Sequence, residues 1–302
     1  MTPRAAVVIV NYGASAILEP NAATVQPPGD GFVVVVDCFS STDERARIDA
    51  ACRRHGWVPV LLERNAGFGG GTNAGAALAL ERGAEVVVAL NPDATIDRES
   101  LAQLVQAAAD DPLALVSPTI LDGAGGVWFG GSDLYLDDGS IAGARRRAER
   151  AGRPRHEWAT GACFAMSAEL WSRVGGFDEE YFLYWEDVDL SRRVLDLGGS
   201  LRTIPVTAVH DEGQTHLDAV RGRAKSETYY YFNIRNRLLY AAKHGDAETV
   251  RRWSRATLRV SWLILMQGGR AQLRSIRPWR ALARGIRDGR RALAGAPAKG
   301  RG

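Results

Sequence analysis

The chain has 302 residues, of which 46% are hydrophobic and 24% charged, as expected of a globular protein with a sizeable core. No stretch approaches the roughly 20 apolar residues of a membrane-spanning helix. Three cysteines without paired spacing exclude a disulfide framework and a zinc site, and they indicate a reducing compartment. The short apolar run near the N-terminus predicts a first strand rather than a signal peptide.

The net charge of +3 is unevenly distributed along the chain. Residues 221–302 contain 20 basic and 4 acidic side chains, whereas residues 1–220 contain 18 and 31. The basic C-terminal part predicts contact with something anionic, a membrane or a nucleic acid. The alternative is a solvated, arginine-rich surface. We predict a catalytic domain over residues 1–220 and a basic helical region over residues 221–302.

The first hundred residues predict alternating strands and helices. Residues 58–62 predict a short strand, and the helix after it is predicted to begin at Thr72 or Asn73. Alternating strands and helices indicate βαβ units and a mostly parallel, Rossmann-like α/β sheet flanked by helices. Three apolar, β-branched runs predict its buried strands: residues 5–10, 32–36 and 86–90.

The later part of the chain predicts more helices. Residues 123–155 are rich in glycine and then arginine, and they predict a strand or hairpin followed by a mobile basic loop. The last helix has an apolar stripe that includes Ile276, Trp279 and Ile286 between arginines, a pattern suited to a lipid interface. Packing against the rest of the protein is the alternative. Helices are predicted near residues 98–111, 186–197, 226–244, 248–266 and 277–293, and residues 161–179 predict a strand that enters a helix ending at Gly175.

Polar side chains follow the predicted strands, at the edge where an open parallel sheet binds ligands. The last apolar run ends on Asn91, Pro92 and Asp93. A carboxylate at a strand end is a natural ligand of Mg²⁺ or Mn²⁺, and the proline fixes the backbone beside it. His210, after a later strand, is the candidate second ligand. An ordinary turn and a structural histidine are the alternatives.

Residues 64–75 form a glycine-rich segment that enters a helix. Glycines let backbone N–H groups approach a phosphate, and a helix N-terminus adds a partial positive charge. The segment matches no P-loop and only loosely resembles a dinucleotide fingerprint, so a plain tight turn is the alternative.

Three carboxylates, Glu186, Asp187 and Asp189, lie at the start of a predicted helix. Because Glu186 and Asp187 point about 100° apart on a helix, we expect them to have different roles. One is a candidate general base beside a substrate hydroxyl, and helix capping is the alternative.

Taken together, the motifs V-V-I-V-N-Y, V-V-V-D, N-x-G-F-x-x-G-x-N-x-G, L-N-P-D, G-x-F-D-E and E-D-x-D-L resemble family 2 glycosyltransferases. More narrowly, they resemble the rhamnosyltransferase-like and galactofuranosyltransferase-like branch. The resemblance covers about residues 5–215 and a following Y-Y-x-x-R-N. It implies a GT-A fold and an inverting, metal-dependent transfer from a nucleotide-diphosphate sugar to a saccharide or polyprenyl-linked acceptor in cell-surface polysaccharide synthesis.

The resemblance also implies roles for individual residues. Gly13, Cys38 and Phe39 depart from the family pattern, so the base stays open between uridine and thymidine. The implied roles are the catalytic base for Asp187; Mg²⁺ or Mn²⁺ ligation for Asp93 and His210; donor binding for Tyr12, Asp37, Asn65, Gly70, Asn73 and Asn91; and acceptor binding for Trp185 and Glu186.

Two other classes of function compete with this interpretation. A nucleotide-binding oxidoreductase would need a fingerprint after the first strand, where the chain instead reads Asn-Tyr-Gly-Ala. A nucleic-acid-binding protein would use the basic tail, but the tail lacks regular alternation of aromatic and basic residues. We therefore expect no nucleic-acid partner and a cytoplasmic location, peripheral on the inner face of the plasma membrane.

Overall fold

The computed structural model describes residues 2–210 and 225–295, which divide into two compact units. The first unit takes its described residues from Met1–Ser132, Glu157–Phe182 and Glu186–Leu217. The second takes them from Asp133–His156, Leu183–Trp185 and Asp218–Gly302. Two hydrophobic clusters lie in the first unit, and another lies in the second unit.

The strands are short in both units. They are β1 (Ala5–Asn11), β2 (Phe32–Asp37), β3 (Val58–Leu61), β4 (Val86–Leu90), β5 (Ala94–Ile96), β6 (Ala114–Leu121), β7 (Val127–Phe129), β8 (Ser132–Tyr135), β9 (Ser140–Gly143), β10 (Arg155–Trp158), β11 (Cys163–Ser167) and β12 (Ser200–His210). The helices are α1 (Ser15–Ala22), α2 (Thr42–His55), α3 (Gly67–Glu81), α4 (Arg98–Asp110), α5 (Ala168–Val174), α6 (Glu186–Asp196), α7 (Glu227–His244), α8 (Ala247–Met266) and α9 (Ile276–Gly295).

The main sheet has nine strands, in the order β3-β2-β1-β4-β11-β6-β12-β5, with β7 paired to β6. The first four strands are parallel, as their uninterrupted apolar runs predict. β11 is antiparallel to both of its neighbours, and β12 runs parallel to β6 but antiparallel to β5. The predicted α/β class is therefore confirmed, with a parallel half and a mixed half. Strands β10, β8 and β9 form a separate three-stranded sheet.

Strand β6 was not predicted from the sequence. Pro118 lies inside it and cannot donate to a ladder, so the stretch does not have the pattern of a central strand. The pairing with β12 accommodates the proline, because the register shifts between Ile204 and Thr207 next to the Pro118–Ile204 pair. Helix α1 was also not predicted, because Pro20 lies within it.

The predicted start of α3 at Thr72 or Asn73 is wrong, because the helix begins at Gly67. Its glycines allow close packing of the helix on the sheet. A Cβ atom on Gly75 would lie 2.7 Å from Val36 Cγ2, and one on Gly71 would lie 2.7 Å from Val10 Cγ1. The absence of side chains thus lets α3 lie directly on β1 and β2, which overrides the low helix propensity of glycine.

In the second unit, helix α9 packs along α7, and the basic segment before β10 is held by ion pairs. The predicted mobile loop contains short 3₁₀ turns. Arg147 donates two hydrogen bonds, of 2.8 and 2.9 Å, to the buried carboxylate of Asp133. Arg153 likewise donates to Asp137 at 2.8 and 2.6 Å. The arginines of this segment therefore neutralise carboxylates of the same unit.

Candidate active site

The turn after β4 brings Asp93 next to His210, although 116 residues separate them in the sequence. Asn91 O accepts a hydrogen bond from Ala94 N at 3.1 Å, which closes the turn, and β5 begins at Ala94. β5 pairs with β12 so that Ala94 is opposite His210. Asp93 Oδ1 consequently lies 3.0 Å from His210 Nε2. The sheet register explains why these two residues meet.

The chemistry of this pair fits a divalent cation. Both side chains are buried, and Asn91 Nδ2 lies 3.2 Å from His210 Nε2. The ring of His210 packs 4.5 Å from that of Trp128, which fixes its orientation. Across residues 2–210 and 225–295, no group of three or more His, Cys, Asp or Glu side chains lies close enough to hold a metal ion. One carboxylate and one imidazole nevertheless suit an ion that takes its remaining ligands from a diphosphate and water.

The three carboxylates at the start of α6 have different surroundings. Asp189 is buried and forms an ion pair with Arg193, with Nε 2.7 Å from Oδ2. Asp187 is half-buried and accepts from the N–H groups of Gly161 at 3.1 Å and Val188 at 2.8 Å. Glu186 is buried, and its Oε2 has no hydrogen-bond partner among the described residues. Glu186 and Asp187 therefore lie in different surroundings, and the difference in their roles stays a prediction.

Burial raises the pKa of both Glu186 and Asp187. Desolvation raises the pKa of Asp187 to about 6, although the N–H groups of Gly161 and Val188 partly offset the shift. The pKa of Glu186 is raised well above its ordinary value by burial and then by the charge of Asp187. A carboxylate that titrates near neutral pH has a basicity suited to accepting a proton from a substrate.

Two adjacent peptide groups connect Asp187 with the turn that carries Asp93. Gly161 N–H donates to Asp187 Oδ2, and Ala162 C=O accepts from Asn91 N–H at 2.9 Å. The next residue, Cys163, pairs with Leu90 at the end of β4. Asp187 and the Asn91–Asp93 turn therefore lie at the same edge of the sheet, on either side of one dipeptide.

The backbone before Glu186 adopts conformations that side chains other than glycine rarely take. Phe182, Tyr184 and Trp185 all have positive φ, of 63°, 63° and 75°. Strain of this kind persists only where surrounding contacts hold it, and it is concentrated at functional sites. In the second unit, buried Asn236 donates from Nδ2 to the carbonyls of Leu183 at 2.9 Å and Tyr184 at 2.7 Å.

Comparison with known proteins identifies the family of this chain. The family model described as "Glycosyl transferase family group 2" matches residues 86–281, which is more than half of the chain. The chain belongs to this family. It is a glycosyltransferase, and the alternatives of an oxidoreductase and of a non-enzymatic nucleic-acid-binding protein are discarded.

Two relatives with curated names cover different shares of the glycosyltransferase. The low-salt glycan biosynthesis hexosyltransferase Agl10 of Haloferax volcanii is 24% identical over 277 residues, covering 86% of this chain and 83% of that protein. An N-acetylglucosaminyl-diphospho-decaprenol L-rhamnosyltransferase of Mycobacterium tuberculosis is 30% identical over 172 residues, covering 50% of this chain. The alignment spans only 55% of the length of that mycobacterial protein.

Solved structures confirm the GT-A fold. The mannosyltransferase PcManGT from Pyrobaculum calidifontis, in complex with GDP-Man and Mn²⁺, has a TM-score of 0.55 and 20% identity, covering 100% of this chain and 77% of that one. GalNAc-T7 with UDP, GalNAc and Mn²⁺ has a TM-score of 0.54 and 15% identity, covering 91% of this chain and 58% of that one. At these identities the likeness establishes the fold alone.

The residues predicted to bind the donor differ in their exposure and in their contacts within the glycosyltransferase. Tyr12 is 58% exposed at the end of β1. Asp37 is fully buried, where it pairs with Arg45 at 2.9 Å and accepts from Asn11 Nδ2 at 3.2 Å. Asn65 Oδ1 accepts from Gly67 N–H at 2.9 Å and so fixes the entry to α3.

The other predicted binding residues make contacts within the protein. Asn73 forms two hydrogen bonds with the backbone of Phe177, from Nδ2 to O at 2.9 Å and from N–H to Oδ1 at 2.8 Å. Gly70 lies in the first turn of α3, where a Cβ atom would be 2.9 Å from Ala66 Cβ. Trp185 is buried against Tyr240 in the second unit, with ring centroids 5.7 Å apart.

Sequence reasoning missed two groups that shape the site. Gly161 binds Asp187 through its backbone, and backbone donors leave little trace in a sequence. Glu44 is buried in α2 and accepts from Ser15 Oγ at 2.8 Å and Asn11 Nδ2 at 3.5 Å, beneath the end of β1. Because acidic residues are common in the first turn of a helix, the sequence does not distinguish Glu44 from an ordinary capping residue.

Proposed function

We propose that this glycosyltransferase transfers a sugar from a nucleotide-diphosphate donor with inversion, in a metal-dependent reaction. The observation that carries the proposal is the Gly161–Ala162 dipeptide, which bonds Asp187 on one side and the Asn91–Asp93 turn on the other. A diphosphate held at Asp93 and a hydroxyl held at Asp187 would thus lie at one edge of the sheet. Holding both reactants in place supplies much of the acceleration of a two-substrate reaction.

Asp93 and His210 are the proposed ligands of Mg²⁺ or Mn²⁺. A bound divalent ion would neutralise the charge that develops on the leaving nucleoside diphosphate. We assign Asn91 to a donor hydroxyl, because its side chain lies beside the proposed metal ligand His210. Exposed Tyr12 is assigned to the nucleobase, and Asp37 acts through Arg45 at the ribose end. Donor contacts of the backbone in the Asn65–Asn73 segment complete the proposed subsite.

Asp187 is the proposed general base. It accepts the proton of the acceptor hydroxyl while that oxygen bonds to the anomeric carbon and the bond from this carbon to the diphosphate oxygen breaks. A single in-line displacement inverts the configuration of the carbon. The raised pKa of Asp187 gives its carboxylate more basicity than an exposed aspartate has. Glu186 and Trp185 remain the proposed acceptor-binding residues.

The names of the relatives support a hexose or deoxyhexose donor, such as a dTDP- or UDP-linked sugar, and rhamnose is our candidate. The printed name of the mycobacterial relative refers to a lipid-linked saccharide, which supports a polyprenyl-linked acceptor. No helix among the described residues is long and apolar enough to cross a membrane. We propose that the basic C-terminal region reaches such an acceptor at an anionic membrane surface, on the inner face of the plasma membrane.

The test is release of nucleoside diphosphate from a panel of dTDP- and UDP-sugars with Mn²⁺ or Mg²⁺, in the presence of a saccharide acceptor. Asp187→Asn should lower kcat by about a thousandfold or more, because proton acceptance is lost. Asp93→Asn should abolish the dependence on added metal and most of the activity. The anomeric configuration of the product, determined by NMR, should be inverted relative to the donor.

Matched variants control for nonspecific effects. Asp196→Asn makes the same change at the exposed end of α6, and Asp110→Asn does so at the end of α4. Both should retain wild-type activity. Retained configuration, or full activity in Asp187→Asn, would refute the proposed mechanism, and unchanged turnover in EDTA would refute the metal requirement.

A further inference from the structure

Helix α8 has two faces of different character. Its buried face consists of Trp253, Thr257, Val260, Ser261 and Leu265, which pack inside the second unit. The opposite face exposes Arg255, Leu258, Arg259, Trp262 and Leu263, at the i, i+3, i+4, i+7 and i+8 positions of a helix. This outer face is basic towards the N-terminus and apolar towards the C-terminus.

Helix α9 lies against α7, and this corrects the simple interfacial stripe predicted from the sequence. Ile286 is buried, together with the small residues Ala281, Gly285 and Gly289. A Cβ atom on Gly285 would lie 2.8 Å from Tyr231 O, and one on Gly289 would lie 2.8 Å from Leu238 Cδ1. The C-terminal part of the stripe therefore belongs to the core of the second unit, whereas Ile276 and Trp279 remain exposed.

The exposed apolar residues of the two helices form one surface, which we call the α8–α9 patch. It consists of Leu258, Trp262, Leu263, Ile276 and Trp279, whose exposed fractions range from 38% to 68%. The rings of Trp262 and Trp279 lie 6.2 Å apart, so the patch is continuous between the helices. Clustered large apolar side chains on a surface mark an interaction site, whereas scattered ones do not.

The charge around the patch identifies the kind of partner. Residues 249–287 contain ten arginines and no aspartate or glutamate. Arg255, Arg270, Arg274 and Arg280 are exposed, and Arg277 is also exposed but pairs with Glu227. Tryptophan rings flanked by arginines suit the surface of a bilayer. Indole rings lie at the membrane–water interface, and guanidinium groups bind anionic headgroups.

We propose that the α8–α9 patch inserts into the interfacial layer of an anionic bilayer. The proposal deepens the membrane contact in the proposed function, and it names the surface that makes this contact. A second copy of the chain is a poorer occupant, because facing patches would bring two sets of arginines together without an acidic residue from this region. A nucleic acid would satisfy the arginines but would leave the leucine and isoleucine side chains without an apolar environment.

Vesicle binding by the full chain tests the proposal directly. The protein should co-sediment with vesicles of phosphatidylcholine and phosphatidylglycerol, but only weakly with phosphatidylcholine alone. The double variant Trp262→Ser/Trp279→Ser should bind about tenfold more weakly or worse, because two interfacial anchors are lost. Arg255→Gln/Arg280→Gln should also bind about tenfold more weakly and with a smaller salt dependence.

Matched controls lie in the first unit. Leu61→Ser/Leu197→Ser removes two apolar side chains of comparable exposure, and Arg82→Gln/Arg98→Gln removes two exposed arginines. Both should bind vesicles like the wild type. Thermal melts should show that all four double variants are folded.

Three outcomes would overturn the proposal. The wild type could fail to bind anionic vesicles, the tryptophan variant could bind as well as the wild type, or sedimentation velocity could show a dimer that this variant dissociates. Sugar transfer to a soluble acceptor, measured on the same variants, separates this inference from the proposed function. The patch variants should retain that transfer, and a loss of vesicle binding would leave it intact.

Discussion

Asp138 in the second unit and the Glu186–Asp187 pair in the first unit are desolvated carboxylates with opposite surroundings. In the second unit the buried carboxylate of Asp138 accepts from Ser140 and forms ion pairs with Arg259 and Arg153. Burial alone would raise the pKa of Asp138, but these partners lower it below its ordinary value. In the first unit, Glu186 and Asp187 are adjacent, and the pKa of each is raised by burial. Within the described parts of the chain, no arginine or lysine offsets that effect.

This difference separates structural charge from reactive charge. A buried ion that is fully paired holds a fold in one arrangement, whereas a buried carboxylate without a cation is kept close to the protonation equilibrium that catalysis needs. Asp189, only two residues after Asp187, belongs to the first kind because it pairs with Arg193. The change from one kind to the other occurs within a single helical turn.

The largest expected effect on stability comes from removing Arg237, a buried cation of the second unit. Arg237 is buried, and it donates to the carbonyls of Asp138 and Trp253, each at 3.0 Å. Burial lowers its pKa to about 10, so it still carries its charge at neutral pH. Arg237→Ala should lower the free energy of unfolding by about 3–5 kcal/mol, because it leaves a cavity and removes the donors to the buried Asp138 carbonyl. Urea denaturation measures this, and a loss below about 1 kcal/mol would contradict it.

The raised pKa of Asp187 predicts that catalysis depends on pH. Because the pKa of Asp187 is raised to about 6, its carboxylate takes up a proton as the pH falls below that value. We expect kcat to fall about tenfold for each pH unit below 6. The apparent value belongs to the Glu186–Asp187 pair, since the two charges interact. A profile that stays flat down to pH 4.5 would rule out this base.

Glu186→Gln should change how the free energy of unfolding depends on pH. A raised pKa in the folded state means that the stability contribution of a carboxyl group is present below about pH 4 and is lost as the pH rises through the folded value. At pH 8 the carboxyl group is ionised in the unfolded chain, whereas the folded wild type must either bury that charge or take up a proton, and the amide removes this cost. We expect the free energy of unfolding to rise by about 1–2 kcal/mol at pH 8 and to change little at pH 4.5. Melts at the two pH values test this, and equal shifts would contradict it.

The smallest effect is expected at Arg259, whose side chain is 62% exposed although it pairs with Asp138. Arg153 and Ser140 remain bonded to Asp138 when Arg259 is removed. Arg259→Ala should therefore lower the free energy of unfolding by less than about 1 kcal/mol. If Arg259→Ala lowered the free energy of unfolding as much as Arg237→Ala, the exposure of an arginine would not determine its contribution to stability.

The sequence by itself determined the parallel half of the sheet, most helices and the family. Its uninterrupted β-branched runs specify strands that are covered on both faces, and the period of the apolar residues in its amphipathic stretches specifies which face of each helix is buried. The helix at residues 42–55 illustrates this, since the Ser41 side chain caps it by accepting from Glu44 N–H. The candidate residues Asp93, Asp187 and His210 were also found in the sequence, through motifs whose order along the chain is distinctive.

Only the tertiary structure decided how those residues meet and which ones differ in chemistry. Asp93 reaches His210 because β5 pairs with β12 at one register, and Asp187 joins the same edge through the backbone of Gly161. The burial of Glu186 and the pairing of Asp189 likewise depend on distant parts of the chain. Long-range strand pairing and desolvation arise from contacts between segments far apart in sequence, so no local pattern of residue types encodes them.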